Sequence, residues 1–295
     1  MAQTNPADTP QDSGPGEELV EELFEAATTA AEAAADILRG RFGTTVQDAV
    51  KSSPTDPVTL ADKESEAAVT AVLKRLRPDD ALIGEEGTST EGTSSIRWVI
   101  DPLDGTVNYL YGSRDWNVSI AACDDDGPLV GVVFDVMGER RYHAVRGRGS
   151  WLDDERLTCR ETPGLEQALI LIGLDYSAAR RREQLIEFGA LATRVRDFRR
   201  HGSAALELCR VAAGQADAYV EAPIRTWDIS AGVLIAQEAG AVVRVCDLGG
   251  QDRAVIAATP RIVDELVDIL SEPPHGRWMF QRFAKLDAID PAVTR

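Results

Sequence analysis

No stretch of this chain restricts what it can become more than Trp98-Val-Ile-Asp-Pro-Leu-Asp-Gly-Thr106. Trp98, Val99 and Ile100 read as a short buried strand. Asp101 stands at its end, where Pro102 bars both a helix and a continued ladder. Asp104, Gly105 and Thr106 then have the composition of a helix mouth, where backbone N–H groups without intrahelical partners face whatever lies in front. Two carboxylates so spaced on a turn can face one point, a place to hold hard cations beside a phosphate. Taken alone, the same residues also fit an Asp-Pro turn followed by an Asx-Gly loop.

Length and charge narrow the choice. A chain of 295 residues buries a large core, as one big domain or two small ones. With 31 basic and 49 acidic side chains its formal charge is −18, which argues against a nucleic-acid surface as its main business. An acidic protein that handles anionic phosphates needs cations to reverse the local sign. Cys123, Cys159, Cys209 and Cys246 are far apart among apolar or small residues. Buried free thiols of a cytoplasmic protein are expected there, not disulfides or zinc ligands. His143, His201 and His275 are too few to support a zinc centre. No apolar run reaches membrane-spanning length, and no basic-then-apolar start suggests a signal peptide, so the chain reads as soluble and cytoplasmic.

Residues 1–16, rich in Pro, Gly and small polar side chains, read as a disordered tail. Leu19, Leu23, Ala27, Ala30, Ala34, Ile37 and Leu38 then make one helical stripe, with Gly40 or Gly43 available to stop it. Pro54 and Pro57 make residues 51–60 a loop, whose Lys51 could fold over an anion. Asp62 is placed to cap a helix with Ala68, Val69, Val72, Leu73 and Leu76 inward and Pro78 at its end. Ala81 to Ile83 is a strand running into Gly84-Glu85-Glu86-Gly87, where the glycines let the backbone turn one glutamate inward. Val118 to Cys123, Leu129 to Asp135 and Arg141 to Val145 read as an antiparallel meander closed by Gly147 and Gly149. A strand over 168–172 and a charged helix over 178–196 follow. Ser203 is placed as an N-cap of a helix ending near Gly214. Ala218 to Glu221 is a strand broken by Pro223. Asp228 is either an N-cap or a ligand at the mouth of a helix over 229–239. Late strands over 241–246 and 255–258 and a helix opened by Pro260 complete the pattern, with no internal repeat.

In chain order, Lys51, Asp62, Glu85-Glu86, Asp101-Pro-Leu-Asp-Gly-Thr106, Gly202-Ser-Ala204, Glu221 and Trp227-Asp228 resemble the inositol monophosphatase family of magnesium-dependent, lithium-sensitive phosphatases. The resemblance covers residues 17 to 270. It implies an α/β (α+β) fold, a layered α-β-α-β-α sandwich of the inositol monophosphatase and fructose-bisphosphatase-like kind. The catalytic domain would span 17–275, with a C-terminal extension over 276–295. It implies two to three Mg²⁺ ions per site. One would be held by Glu85, Asp101 and the Leu103 carbonyl, a second by Asp101, Asp104 and Asp228, and a weaker third would lean on Glu85. The Gly105 and Thr106 N–H groups would receive the phosphate. The Thr106 hydroxyl, backed by Asp62, would orient the attacking water, so that Asp62, Glu85 and Thr106 are the catalytic set. Ser203, Ala204 and Glu221 would contact the hydroxyls of the alcohol, Asp104 would share in substrate binding, and Lys51 would lie on a loop over the metals. A homodimer is implied as well.

Elementary chemistry agrees with these roles. Phosphate monoesters are so inert that enzymes accelerate their hydrolysis by up to about 10²¹. Paired Mg²⁺ ions held by carboxylates, carbonyls and water can polarise the phosphoryl oxygens and ready a water. The expected reaction is therefore hydrolysis of inositol 1-phosphate to myo-inositol and phosphate by metal-activated water. The same chemistry serves histidinol phosphate, fructose 1,6-bisphosphate, NADP or adenosine 3′,5′-bisphosphate. Pro223, in Ala222-Pro-Ile-Arg225, departs from the most familiar members of the family and bears on whether inositol is the alcohol. A different class of function, a non-catalytic regulatory partner of RNA polymerase, is compatible with the same residues.

Overall fold

The computed structural model describes residues 16–44, 49–50 and 57–271. Lys51, the 1–15 part of the expected tail and the expected extension over 276–295 lie outside the described residues.

Helix α1 (Glu17–Arg41) leads to the short antiparallel pair β1 (Ala49–Val50) and β2 (Pro57–Val58) and then to α2 (Leu60–Leu76). Next come β3 (Ala81–Gly84), β4 (Ser89–Thr90), β5 (Arg97–Asp104) and the one-turn helix α3 (Thr106–Leu110). The meander is β6 (Asn117–Asp124), β7 (Gly127–Asp135), β8 (Arg140–Val145), β9 (Gly149–Leu152) and β10 (Glu155–Arg156). The second half holds β11 (Leu169–Ile172), α4 (Ala178–Leu191), β12 (Asp197–Arg199), α5 (Ala204–Ala212), β13 (Ala218–Arg225), α6 (Thr226–Glu238), β14 (Val242–Gly249), β15 (Asp252–Ala258) and α7 (Val263–Ser271).

Two mixed sheets result. The first has eight strands in the order β10-β9-β8-β7-β6-β5-β3-β4, with only β3 and β5 parallel. The second has five strands in the order β12-β11-β13-β15-β14, with β11 parallel to both of its neighbours. Helices α1 and α2 cover one face of the first sheet, and α5 and α6 fill the space between the sheets. Helices α4 and α7 cover the far face of the second. This is the expected α-β-α-β-α sandwich, and its apolar side chains divide into clusters that fill the spaces between layers. Helix α1 shows why a helix forms there. Alanine is the best helix former, and Ala26, Ala27, Ala30, Ala31, Ala34 and Ala35 are all buried, so small side chains let the helix lie close to its neighbours.

Several boundaries differ from expectation. Helix α1 runs through Gly40 to Arg41, and Gly43 just beyond it takes the left-handed conformation (φ +78°). On α2 the buried residues are Ala61, Asp62, Ser65, Glu66, Val69 and Leu73, while Ala68 and Val72 are half-buried and Leu76 is exposed. The meander continues into β9 and β10 where Gly147 and Gly149 were expected to close it. Helix α4 stops at Leu191, and α7 begins after Pro260. Cys159 is half-buried, and the other three cysteines are buried free thiols.

Most instructive are the prolines. Pro102 does not end its strand, and Pro223, joined to Ala222 by a cis peptide bond, does not break β13. The ladder skips from Asp101 to Asp104 in β5 and from Glu221 to Ile224 in β13. Each proline stands in a bulge, where no ladder N–H is demanded of it. Each bulge follows directly on a carboxylate that faces the cleft described next.

Candidate metal and phosphate site

A cleft of about 1170 Å³ opens between the sheets. Of the residues expected at the site, Glu85, Asp101, Leu103, Asp104, Gly105, Thr106, Ser203, Ala204, Glu221 and Asp228 all line it. Asp62 lies buried beneath Thr106.

Three carboxylates form its floor. One oxygen each from Glu85, Asp101 and Asp228 lies within 4.8 Å of the other two. Asp101 arrives at the β5 bulge, where its Oδ1 accepts the Leu103 N–H at 3.0 Å. Glu85 sits in the turn between β3 and β4, its own N–H donating to the Ile100 carbonyl at 3.2 Å. Asp228 is the third residue of α6, one turn inside the cap position, and its Oδ2 accepts the Arg225 N–H at 3.0 Å. Burial, then the charges of Glu85 and Asp104, push the Asp228 carboxyl well above its ordinary range. Three carboxylate oxygens gathered this closely are hard donors of the kind a divalent cation takes, so the donor set fits Mg²⁺.

Asp104 is held differently. Its Oδ2 accepts Ser203 Oγ at 2.7 Å, the Ala205 N–H at 2.8 Å and Asn117 Nδ2 at 2.9 Å, and its Oδ1 accepts the Ala204 N–H at 3.2 Å. Asp104 is thus the anion at the N-terminus of α5, where free amides and the helix dipole favour negative charge. Ser203 caps the same helix as expected, accepting the Leu206 N–H at 3.3 Å. Burial raises the Asp104 carboxyl to about 6 against the opposing pull of its hydrogen bonds.

The turn between Asp104 and α3 has a steric reason for its glycine. Gly105 has φ +97°, and a Cβ there would lie 2.8 Å from the Asp115 carbonyl oxygen. Thr106 then places its hydroxyl 3.0 Å from Asp62 Oδ1 and 3.2 Å from the Leu103 carbonyl. Asp62 is not the N-cap of α2. Thr59 is, and Asp62 three residues on completes a capping box, its Oδ2 accepting the Thr59 N–H at 2.8 Å and Oγ1 at 2.6 Å. One carboxylate oxygen therefore closes the helix and the other points to Thr106.

The opposite wall belongs to the second sheet. Glu221 lies against Gly173, where a Cβ would stand 1.6 Å from its Oε2, and Tyr219 donates its hydroxyl hydrogen to the same carboxylate. Burial lifts the Glu221 carboxyl to about 7, with Tyr219 and Arg200 opposing. Gln184, fully buried on α4, ties this wall together, accepting the Asp175 N–H at 2.9 Å and donating to the Ala222 carbonyl at 2.8 Å.

Sequence reasoning did not reach Ser65, Glu66, Asn117, Tyr219 or Gln184. Their signal was faint: Asp62, Ser65 and Glu66 share a helical face with Val69 and Leu73, so polar side chains stand where the stripe demands apolar ones.

A model described as "Inositol monophosphatase family" matches residues 19–272. The chain belongs to the inositol monophosphatase family. Among its relatives, the inositol-1-monophosphatase SuhB of Mycobacterium tuberculosis is 43% identical over 231 residues, 75% of this chain and 80% of that protein. A solved structure titled Mycobacterium tuberculosis SuhB matches with a TM-score of 0.73 at 37% identity, over 88% of this chain and 97% of that one. A protein of Pasteurella multocida named Nus factor SuhB is 40% identical over 230 residues, 76% of this chain and 85% of its own length. The acidic cluster of Glu85, Asp101 and Asp228 could hold a metal ion. Among the described residues, no helix is long and apolar enough to cross a membrane.

Proposed function

We propose that this protein is a Mg²⁺-dependent phosphate monoester hydrolase, acting first on inositol 1-phosphate. The observation that carries the reading is the convergence of Glu85, Asp101 and Asp228 on one point at the floor of a cleft whose far wall ends in Glu221. Glu85, Asp101, Asp104, Asp228 and the Leu103 carbonyl would hold the ions. Bound there, divalent cations would supply positive charge to the phosphoryl oxygens and to the leaving alkoxide.

The chain's own groups do the rest. The single hydroxyl hydrogen of Thr106 is taken by Asp62 or the Leu103 carbonyl, so its lone pairs are left to accept from a water in the cleft and orient it. Asp62 is fixed for this purpose by Thr59. The Gly105 and Thr106 N–H groups receive the phosphate, and Ser203, Ala204 and Glu221 meet the hydroxyls of the alcohol. Lys51 is proposed as a loop contact over the metals.

One observation favours a second reading within the same chemistry. Arg180, Arg181, Arg200 and Arg225 line the cleft at its alcohol end; Arg180 and Arg225 are paired with Asp175 and Asp252, and the charge of Arg181 and Arg200 suits a second negative group on the substrate. Phosphate release with and without Mg²⁺ tests both readings on inositol 1-phosphate, histidinol phosphate, fructose 1,6-bisphosphate, NADP and adenosine 3′,5′-bisphosphate. Preference for inositol 1-phosphate supports the first, and preference for a bisphosphate or NADP supports the second. Asp101→Asn abolishes turnover on either reading, whereas a non-catalytic partner of RNA polymerase would keep its association. Turnover that ignores millimolar Li⁺ would count against the proposed second metal position. A homodimer and a cytoplasmic setting complete the proposal, the former testable by sedimentation.

A further inference from the structure

Three polar side chains on one face of α2, all at least nine-tenths buried, reach three different segments of the cleft floor. Asp62 holds Thr106, Ser65 Oγ donates to the Pro102 carbonyl at 3.0 Å, and Glu66 turns towards the loop that carries Glu85. Only the first belongs to the machinery described above. Glu66 Oε2 accepts the Glu86 N–H at 2.7 Å, and Oε1 accepts the Thr88 N–H at 2.9 Å. Gly84 makes room for the carboxylate, since a Cβ there would lie 2.4 Å from Oε2. The turn is also closed by its own backbone, Gly84 N–H to the Thr88 carbonyl at 2.8 Å. An unpaired carboxylate buried at 4% exposure costs far more than a paired one, so the two amides that satisfy Glu66 are themselves held in place by it.

We propose that Glu66 is a positioning residue: its carboxylate clamps the Gly84–Thr88 turn so that Glu85 is presented to the metal position before any cation arrives. Resting on the metal reading given above, this assigns part of the cation affinity to a residue that touches neither cation nor substrate. Residues behind the ligands of a metal site commonly change affinity by about 10–100-fold when replaced.

The test uses the full chain stripped of metal and titrated with MgCl₂ by calorimetry, beside the Mg²⁺ dependence of hydrolysis. Glu66→Gln keeps the size of the side chain but sets an amide N–H₂ against one of the two backbone donors. It should raise the Mg²⁺ dissociation constant by about 10-fold or more, with kcat at saturating Mg²⁺ within about threefold of wild type. Gly84→Ala pushes on the same carboxylate from the other side and should shift Mg²⁺ affinity in the same direction. A purely structural role would lower the melting temperature and leave Mg²⁺ affinity within about twofold, which overturns the proposal. Hydrogen exchange in the metal-free wild type gives an answer that needs no variant: the Glu86 and Thr88 amides are protected, and exchange at the rate of an open loop overturns the clamp. A wild-type chain that binds no Mg²⁺ overturns the metal reading itself, a result distinct from unaltered affinity in the variants.

Discussion

Glu221 and Gly173 behave as one unit, although Glu221 stands on β13 and Gly173 just past the end of β11. The carboxylate occupies the space that a Cβ at 173 would need. Gly173→Ala should therefore move Glu221 and leave the acidic floor alone. The expected outcome is a KM for inositol 1-phosphate raised about tenfold with kcat on p-nitrophenyl phosphate little changed, measured by steady-state kinetics on the two esters. Protonation belongs to the same scale. The Asp104 and Glu221 carboxyls, at about 6 and about 7, bind protons more tightly in the folded chain than in the unfolded one. Groups of this sign favour the fold at low pH, and that contribution is lost as pH rises through their folded values. In chelator, the melting temperature should fall between pH 5 and pH 7.5. Saturating Mg²⁺ should flatten the fall, because the cation takes the place of the proton, and Asp104→Asn should flatten part of it without metal.

At the scale of elements, the first turn of α2 joins stability to the site. Thr59→Ala removes one half of the capping box and one of the hydrogen bonds that orient Asp62. It should cost about 1 kcal/mol of stability in a urea titration, with a severalfold drop in kcat. The same turn shows how far the sequence could be read. Asp101, Asp104 and Asp228 were legible because acids stand beside a proline in an apolar strand, at that strand's last residue or in the first turn of a helix, positions at which a carboxylate has a purpose. Ser65 and Glu66 were not, because a polar residue inside an apolar stripe reads as a flaw until its partner is seen, and those partners lie on β5 and beyond β3. Helix α1 ends between the two glycines offered for its stop, Gly40 and Gly43, whereas α4 stops at Leu191, short of the expected end at 196. Pro102 and Pro223 were read as terminators because a bulge cannot be told from a strand end without the neighbouring strand.

For the molecule as a whole, charge and layering matter most. A formal charge of −18 repels itself across the folded surface. Raising NaCl from 10 to 100 mM shortens the screening length from about 30 to about 10 Å, and the melting temperature should rise with it. The order of layers was legible once the family pattern was seen, although the short strands β1, β2, β4, β9, β10 and β12 were not. What that pattern could not say is how the work is divided. Glu85, Asp101 and Asp104 ride on the eight-stranded sheet, while Glu221, Gly173 and the arginines of α4 ride on the five-stranded one or beside it. Asp228, the third carboxylate of the floor, stands on α6 directly after β13, so the two frames meet there. On the proposed function, a lineage, or a laboratory selection, could exchange the side chains at 173–184 and 221–225 to change which alcohol is welcomed, while Glu85, Asp101 and Asp104 pass unaltered from one generation to the next.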